Sequence, residues 1–214
     1  NHHSAGFGVI SEQSTGFPGY NSIIDRDKTT IGRILLDNGY STSWFGKNHN
    51  TPAFAASQIG PFNQWPSGMG FEYFYGFVGG DANQWQPNLF RNTTPIYPFE
   101  GKPPGTWNLT TEMANEAIQY MRDIKSVAPD KPFLMYWAPG GVHGPHHVTA
   151  SWADKYRGKF DQGWDKLREE VFARQKSLGW VTASAELTPR DPTMPAWADI
   201  PETERAFQTR LMEL

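Results

Sequence analysis

The chain contains no cysteine. Disulfides, thiolate metal sites and a cysteine nucleophile are therefore excluded within its 214 residues. Long apolar runs are missing too. None approaches the roughly 20 residues that cross a bilayer, so no membrane span is expected. Basic excess is also absent: 19 Lys and Arg face 22 Asp and Glu, a net charge of −3. That balance offers no positive field to nucleic acid. Between residues 50 and 107 there is no long helical stripe, and Gly, Pro, Asn and aromatic residues dominate. So long a stretch without regular structure is unusual in a domain unless it is functional.

What is present can build one substantial core, since 38% of the residues are hydrophobic. Ile31, Ile34 and Leu35 recur at helical spacing and predict a short helix over about 30–37, stopped by Asn38-Gly39. Tyr40 to Phe45 reads as a strand, with Gly46 opening the loop. The order then repeats. Met113, Ala114, Ala117, Ile118, Met121 and Ile124 stripe a helix over about 111–126, and Phe133 to Trp137 reads as a second buried strand. Alternating helices and strands predict an α/β fold, a mostly parallel sheet covered by helices on both faces. Beyond residue 150 the chain changes character. A helix ending near Gly179, a proline-rich loop over 180–198 and a last helix entered by a capping box, Asp199 with Glu202, are expected.

Two clusters stand at the strand exits. Lys47 and His49 follow the first strand, and His143-Gly144-Pro145-His146-His147 follows the second. Ligands of open α/β sheets bind outside the carboxyl ends of the strands, so the two clusters predict one site. Lys47 supplies a compact positive charge, and an imidazole at His49 or His143 moves a proton; together they suit a tetrahedral oxyanion. The competing reading of each cluster is a surface Lys and hydrogen-bonded loop histidines, the bland reading being favoured for His146 and His147. A metal site on His2, His3, His143, His146 and His147 is weaker, because adjacent residues of extended chain point oppositely and no HExxH spacing exists. The knot Phe71 to Phe77 is expected to pack the loop region down, while Trp65, Trp85 or Tyr97 are candidates to line a cleft for an aromatic or sugar substrate. Asn92-Thr93-Thr94 and Asn108-Leu109-Thr110 are glycosylation sequons, relevant only in a glycosylating compartment.

Several blocks, in order, resemble the type I sulfatases of the alkaline phosphatase superfamily, in the bacterial arylsulfatase branch. Thr30 to Tyr40 running into Gly46-Lys47-Asn48-His49 is similar to the family's second signature. Gly70-Phe71-Glu72-Tyr73-Phe74-Tyr75-Gly76 resembles its Gly-Phe-x-x-Phe-Tyr-Gly block. Ala138-Pro139 with His143-Gly144-Pro145-His146 resembles its Ala-Pro-His-x-Pro loop, and 154–165 also fits the branch. Asn1-His2-His3 looks like the segment just past the first signature.

The resemblance implies sulfate ester hydrolysis through a formylglycine nucleophile, made by a formylglycine-generating enzyme, with a Ca2+ ion polarising the sulfate of a small-molecule ester. It implies that Lys47 binds sulfate oxygens, that His49 contacts the formylglycine hydrate and assists sulfate release, and that His143 binds sulfate and protonates the leaving oxygen. The C/S-x-P/A-x-R motif, the early Asp pair, the later Asp-Asn pair and the second sulfate-binding Lys do not occur in this sequence. Residues 1–214 are thus expected to be the central part of a single catalytic domain, inactive alone, with nucleophile and Ca2+ ligands elsewhere. A phosphomonoester or phosphonate hydrolase on the same fold, and an inactive sulfatase-like binding protein, are the alternatives. Periplasmic, secreted and cytoplasmic locations all stay open.

Overall fold

Thr30 opens the first helix, α1 (Ile31–Asp37): its hydroxyl accepts from the Arg33 N–H at 3.1 Å, which satisfies one of the helix's orphan donors. Asn38 caps the other end, and Gly39, at φ +86°, turns the chain into strand β1 (Ser41–Asn48). These coordinates are a computed structural model that describes residues 23–214. The expectations for residues 1–22, His2 and His3 among them, lie outside the described residues.

The helix is where the sequence predicts it, but β1 runs on through Gly46, Lys47 and Asn48. Gly46 continues the strand instead of opening a loop. The cause is a row of small residues across three strands, Gly76–Gly46–Ala138. A Cβ on Gly76 would lie 1.9 Å from the Gly46 carbonyl oxygen, and one on Gly46, at φ +107°, would lie 2.0 Å from the Ala138 oxygen. Only glycine lets the backbones close up there.

The sheet has five strands in the order β4-β3-β2-β1-β5. β2 (Tyr73–Val78), β3 (Leu89–Arg91) and β4 (Thr94–Ile96) come from the stretch expected to lack regular structure. β1 pairs in parallel with β2 and with β5 (Phe133–Ala138), while β2–β3 and β3–β4 are antiparallel. The α/β class holds, with a mixed sheet. The sequon asparagines are both used locally. Asn92, at φ +54°, accepts the Phe74 N–H on its side-chain oxygen at 2.9 Å, and Asn108 caps helix α2 (Leu109–Val127) by accepting from Thr110 N–H at 3.0 Å.

Alternation along the strands divides the core in two. Phe45, Tyr75, Phe77 and Leu89 pack with Leu109, Met113 and Ala117 of α2. Trp44, Phe74 and Phe90 pack on the other face with Trp65 and Phe71, the latter edge-on to Trp44 at 5.0 Å. Helix α1 closes on that second face, where a Cβ on Gly32 would meet the Phe71 ring at 2.7 Å. β5 differs from its expected burial: Phe133, Tyr136 and Trp137 are 36%, 46% and 41% exposed. Among the described residues β5 pairs on one side only, and an apolar run alone does not distinguish a central strand from an edge.

The chain divides into two compact units, Asn1–His147 and Val148–Leu214, at the point where the sequence changes character. The second unit holds α3 (Ala150–Ala153), α4 (Gly163–Ser177) and α5 (Glu202–Glu213). Gly179, at φ +71°, follows α4 as expected. The Asp199–Glu202 capping box does not form. Asp199 lies in a 3-10 turn, Trp197–Asp199, and Pro201 stands at the N-cap without a side-chain bond. Within this unit Arg210 pairs with Asp154 at 3.0 Å and Glu213 at 2.6 Å, and Glu213 accepts the Gly158 N–H. The Arg210 guanidinium holds the Glu213 carboxyl below its ordinary range.

Candidate active site

The parallel direction of β1, β2 and β5 brings their carboxyl ends to one edge of the sheet. Lys47 is the second-last residue of β1, and His49 follows the strand. The exit of this segment is fixed by Asn48, whose side chain is 1% exposed. Its Nδ2 donates to Thr51 Oγ1 at 2.8 Å, its Oδ1 accepts from Asn50 N–H at 3.0 Å, and the Thr51 hydroxyl donates to the Gln64 carbonyl at 2.9 Å. The Trp44 indole N–H donates to the Lys47 carbonyl at 3.0 Å. So the residue between Lys47 and His49, which the sequence reading passes over, anchors both. Lys47 and His49 are themselves half-buried, and among the described residues no carboxylate pairs with the Lys47 ammonium.

His143 stands in the loop after β5, exposed. The loop folds back through His143 N–H donating to Gly140 O at 3.0 Å and His147 N–H donating to Pro145 O at 2.8 Å. The His143 Nδ1 lies 2.8 Å from the Gly144 carbonyl oxygen. A carbonyl only accepts, so Nδ1 carries the proton and the neutral ring presents an unprotonated Nε2. His147 has the opposite tautomer. Its Nδ1 accepts from Gln84 N–H at 3.4 Å, which puts the proton on Nε2. This fits the structural part expected of His147.

The two clusters are joined by a third segment that sequence reasoning missed, the loop after β2. Gly79 N–H donates to the Asn48 carbonyl at 2.9 Å. Gly80 lies so close to His49 that a Cβ would sit 3.0 Å from its Cε1. Four residues on, Gln84 holds His147, accepts the Leu109 N–H on its carbonyl at 2.8 Å, and sets its side-chain amide against Gly140, where a Cβ would be 3.0 Å away. One loop thus touches the His49 segment, the His143 loop and the start of α2. The available signal was Gly79-Gly80 at the exit of a strand, hidden because β2 itself was not recognised.

Of the rings proposed for a cleft, Trp65 is wholly buried, with its indole N–H donating to Ala55 O at 2.6 Å. Tyr97 is half-exposed just past β4, edge-on to Phe99. Trp85 alone of the three is on the loop after β2, near-parallel to the His147 ring at 6.2 Å. A cavity of about 400 Å³ opens elsewhere, lined by residues that include Ile24, Arg26, Lys28, Arg33 and Met69 and by none of the candidate site residues. Among the described residues no group of three or more His, Asp or Glu side chains could hold a metal ion. The Ca2+ that the resemblance implies therefore finds no ligand set in them.

Comparison with known proteins agrees with this architecture. The sulfatase family model matches residues 1–195, and the chain belongs to the sulfatase family. It is 25% identical over 231 aligned residues to an uncharacterized sulfatase of Schizosaccharomyces pombe, covering 99% of this chain and 40% of that protein. It is 20% identical over 207 residues to the arylsulfatase of Klebsiella aerogenes, covering 95% of this chain and 43% of that enzyme. The chain thus spans less than half the length of either curated relative. In fold it is similar to the crystal structure of Ps i-CgsB, with a TM-score of 0.52 and 22% identity over 73% of this chain and 35% of that one.

Proposed function

We propose that this chain is the central part of a sulfatase catalytic domain that hydrolyses small-molecule sulfate esters, of the arylsulfatase type. Family membership supports the reaction class, and the match to the Klebsiella aerogenes arylsulfatase supports the branch. The observation that carries the site is the loop after β2, which links the Lys47–His49 segment to the His143 loop at one sheet edge.

In this reading the Lys47 ammonium, which no described carboxylate neutralises, binds sulfate oxygens. His143, with Nδ1 fixed to a carbonyl, holds a proton on Nε2 when charged and gives it to the leaving oxygen. His49 assists sulfate release. The nucleophile would be a formylglycine made by a generating enzyme from a residue outside 1–214, and Ca2+, held by carboxylates also outside, would supply polarisation of the sulfate. Residues 1–214 alone are inactive in consequence.

The test is turnover of 4-nitrophenyl sulfate by the product of the complete gene, beside 4-nitrophenyl phosphate. Sulfate hydrolysis that falls about 100-fold or more in Lys47→Ala is expected, the loss typical of a removed oxyanion donor. Preference for the phosphate ester, or full activity in Lys47→Ala, would overturn the reading.

A further inference from the structure

The chain carries nine tryptophans. In the first unit Trp44, Trp65 and Trp107 are taken into the core, and Trp137 is on β5. Trp85 is in neither core cluster and stays half-buried at the sheet edge that bears the candidate site. Its position is not loose. Asn83 Oδ1 accepts the N–H groups of Trp85 at 2.8 Å and Gln86 at 3.0 Å, and the next residue, Pro87, is buried. On the other side Gln84 is 7% exposed and tied to both His147 and the first turn of α2. A large ring is thus held on pinned backbone, near-parallel to the His147 imidazole at an interplanar angle of 19°.

Such a ring is costly to leave half in water and profitable to cover with another flat surface. The chain segment that holds it also touches His49 through Gly80 and the His143 loop through Gln84. A ring on this segment therefore borders the groups proposed to grip the sulfate, where the organic part of the ester can lie against it.

We propose that Trp85 is the specificity-determining residue of this site: its indole face stacks on the six-membered ring of the alcohol part and selects sulfate esters of phenols or pyranose sugars over acyclic alkyl sulfates. The inference rests on the sulfatase reading and names the substrate class within it. With its backbone pinned by Asn83 and its ring set beside His147, Trp85 loses less freedom when the substrate ring binds than a residue on an untethered loop would.

The experiment uses the product of the complete gene. Steady-state constants are measured for 4-nitrophenyl sulfate, a pyranose monosulfate and hexyl sulfate, with inorganic sulfate as inhibitor, in wild type, Trp85→Ala, Trp85→Phe and Lys47→Ala. Trp85→Ala is expected to raise KM about tenfold for whichever ring ester is the better substrate, with kcat changing little and Trp85→Phe restoring most of the loss. The preferred ring ester tells aryl from sugar. The inhibition constant of inorganic sulfate should be unchanged in Trp85→Ala and raised in Lys47→Ala. Equal losses on hexyl sulfate and ring esters, or a parallel change in sulfate inhibition, would make Trp85 merely structural and overturn the proposal. An inhibition constant indifferent to Lys47→Ala would instead remove the sulfate-site reading, and the proposal with it.

Discussion

The backbone N–H of Gln84 points at Nδ1 of His147, 3.4 Å away, and this contact helps to join the loop after β2 to the loop after β5. His147→Ala leaves the Gln84 N–H without its acceptor in a place where the residue is 7% exposed. The expected cost is about 1–3 kcal/mol, the penalty of an unpaired buried donor. His147→Asn offers a carbonyl oxygen in place of Nδ1 and should recover much of it. Hydrogen exchange at the Gln84 amide checks this: faster in the Ala variant, restored in the Asn variant. Equal protection in all three would show that the loops are held by other means.

The Gly76–Gly46–Ala138 row predicts a steep response to one methyl group. In Gly76→Ala the Cβ would fall 1.9 Å from a backbone oxygen that cannot swing aside. A loss of about 1–3 kcal/mol or more is expected from such overpacking. Gly141→Ala is the control, since its Cβ meets nothing within 4 Å, and a change within about 0.5 kcal/mol is expected. Denaturant midpoints of the two variants decide the matter. Because Lys47 is the next residue after Gly46, the same substitution should also disturb the site.

Three phenols, Tyr75 buried and Tyr73 and Tyr120 partly buried, give the first unit an alkaline limit. Burial, and then the Glu116 carboxylate, pushes Tyr73 far up; burial, and then Glu112, does the same to Tyr75; burial, and then Glu72, lifts Tyr120 to about 12. The unfolded phenols ionise near pH 10. Above that the unfolded state releases protons that the folded state keeps, so stability present below about pH 10 declines as pH rises. Phenolate absorbance followed together with circular dichroism should show these tyrosines ionising only as the unit unfolds. Their smooth titration in a folded chain would contradict the burial assigned to them.

How much of this was legible in the sequence depends on the kind of signal. α1, α2 and α4 announce themselves through apolar residues at helical spacing, and Asn38-Gly39 marks the first stop. β2 does not, because Tyr73 to Val78 is packed on both faces and shows no alternation of polar and apolar. Lys47, His49 and His143 can be picked out as candidates at or near strand ends. Asn48, Gly80 and Gln84 cannot, since their importance lies in contacts with residues up to 63 positions away, such as His147. The missing capping box at Asp199 is a local failure: Pro201 takes the N-cap and displaces the pattern.

The outer margin of β5 has a consequence for handling the protein. Phe-Leu-Met-Tyr-Trp-Ala carries neither charge nor proline, and among the described residues it is bonded on one flank only; such a strand offers its other flank as a template to any extended chain. In concentrated solution, the 214-residue polypeptide should adhere to itself along this seam, and salts that strengthen apolar association will hasten it.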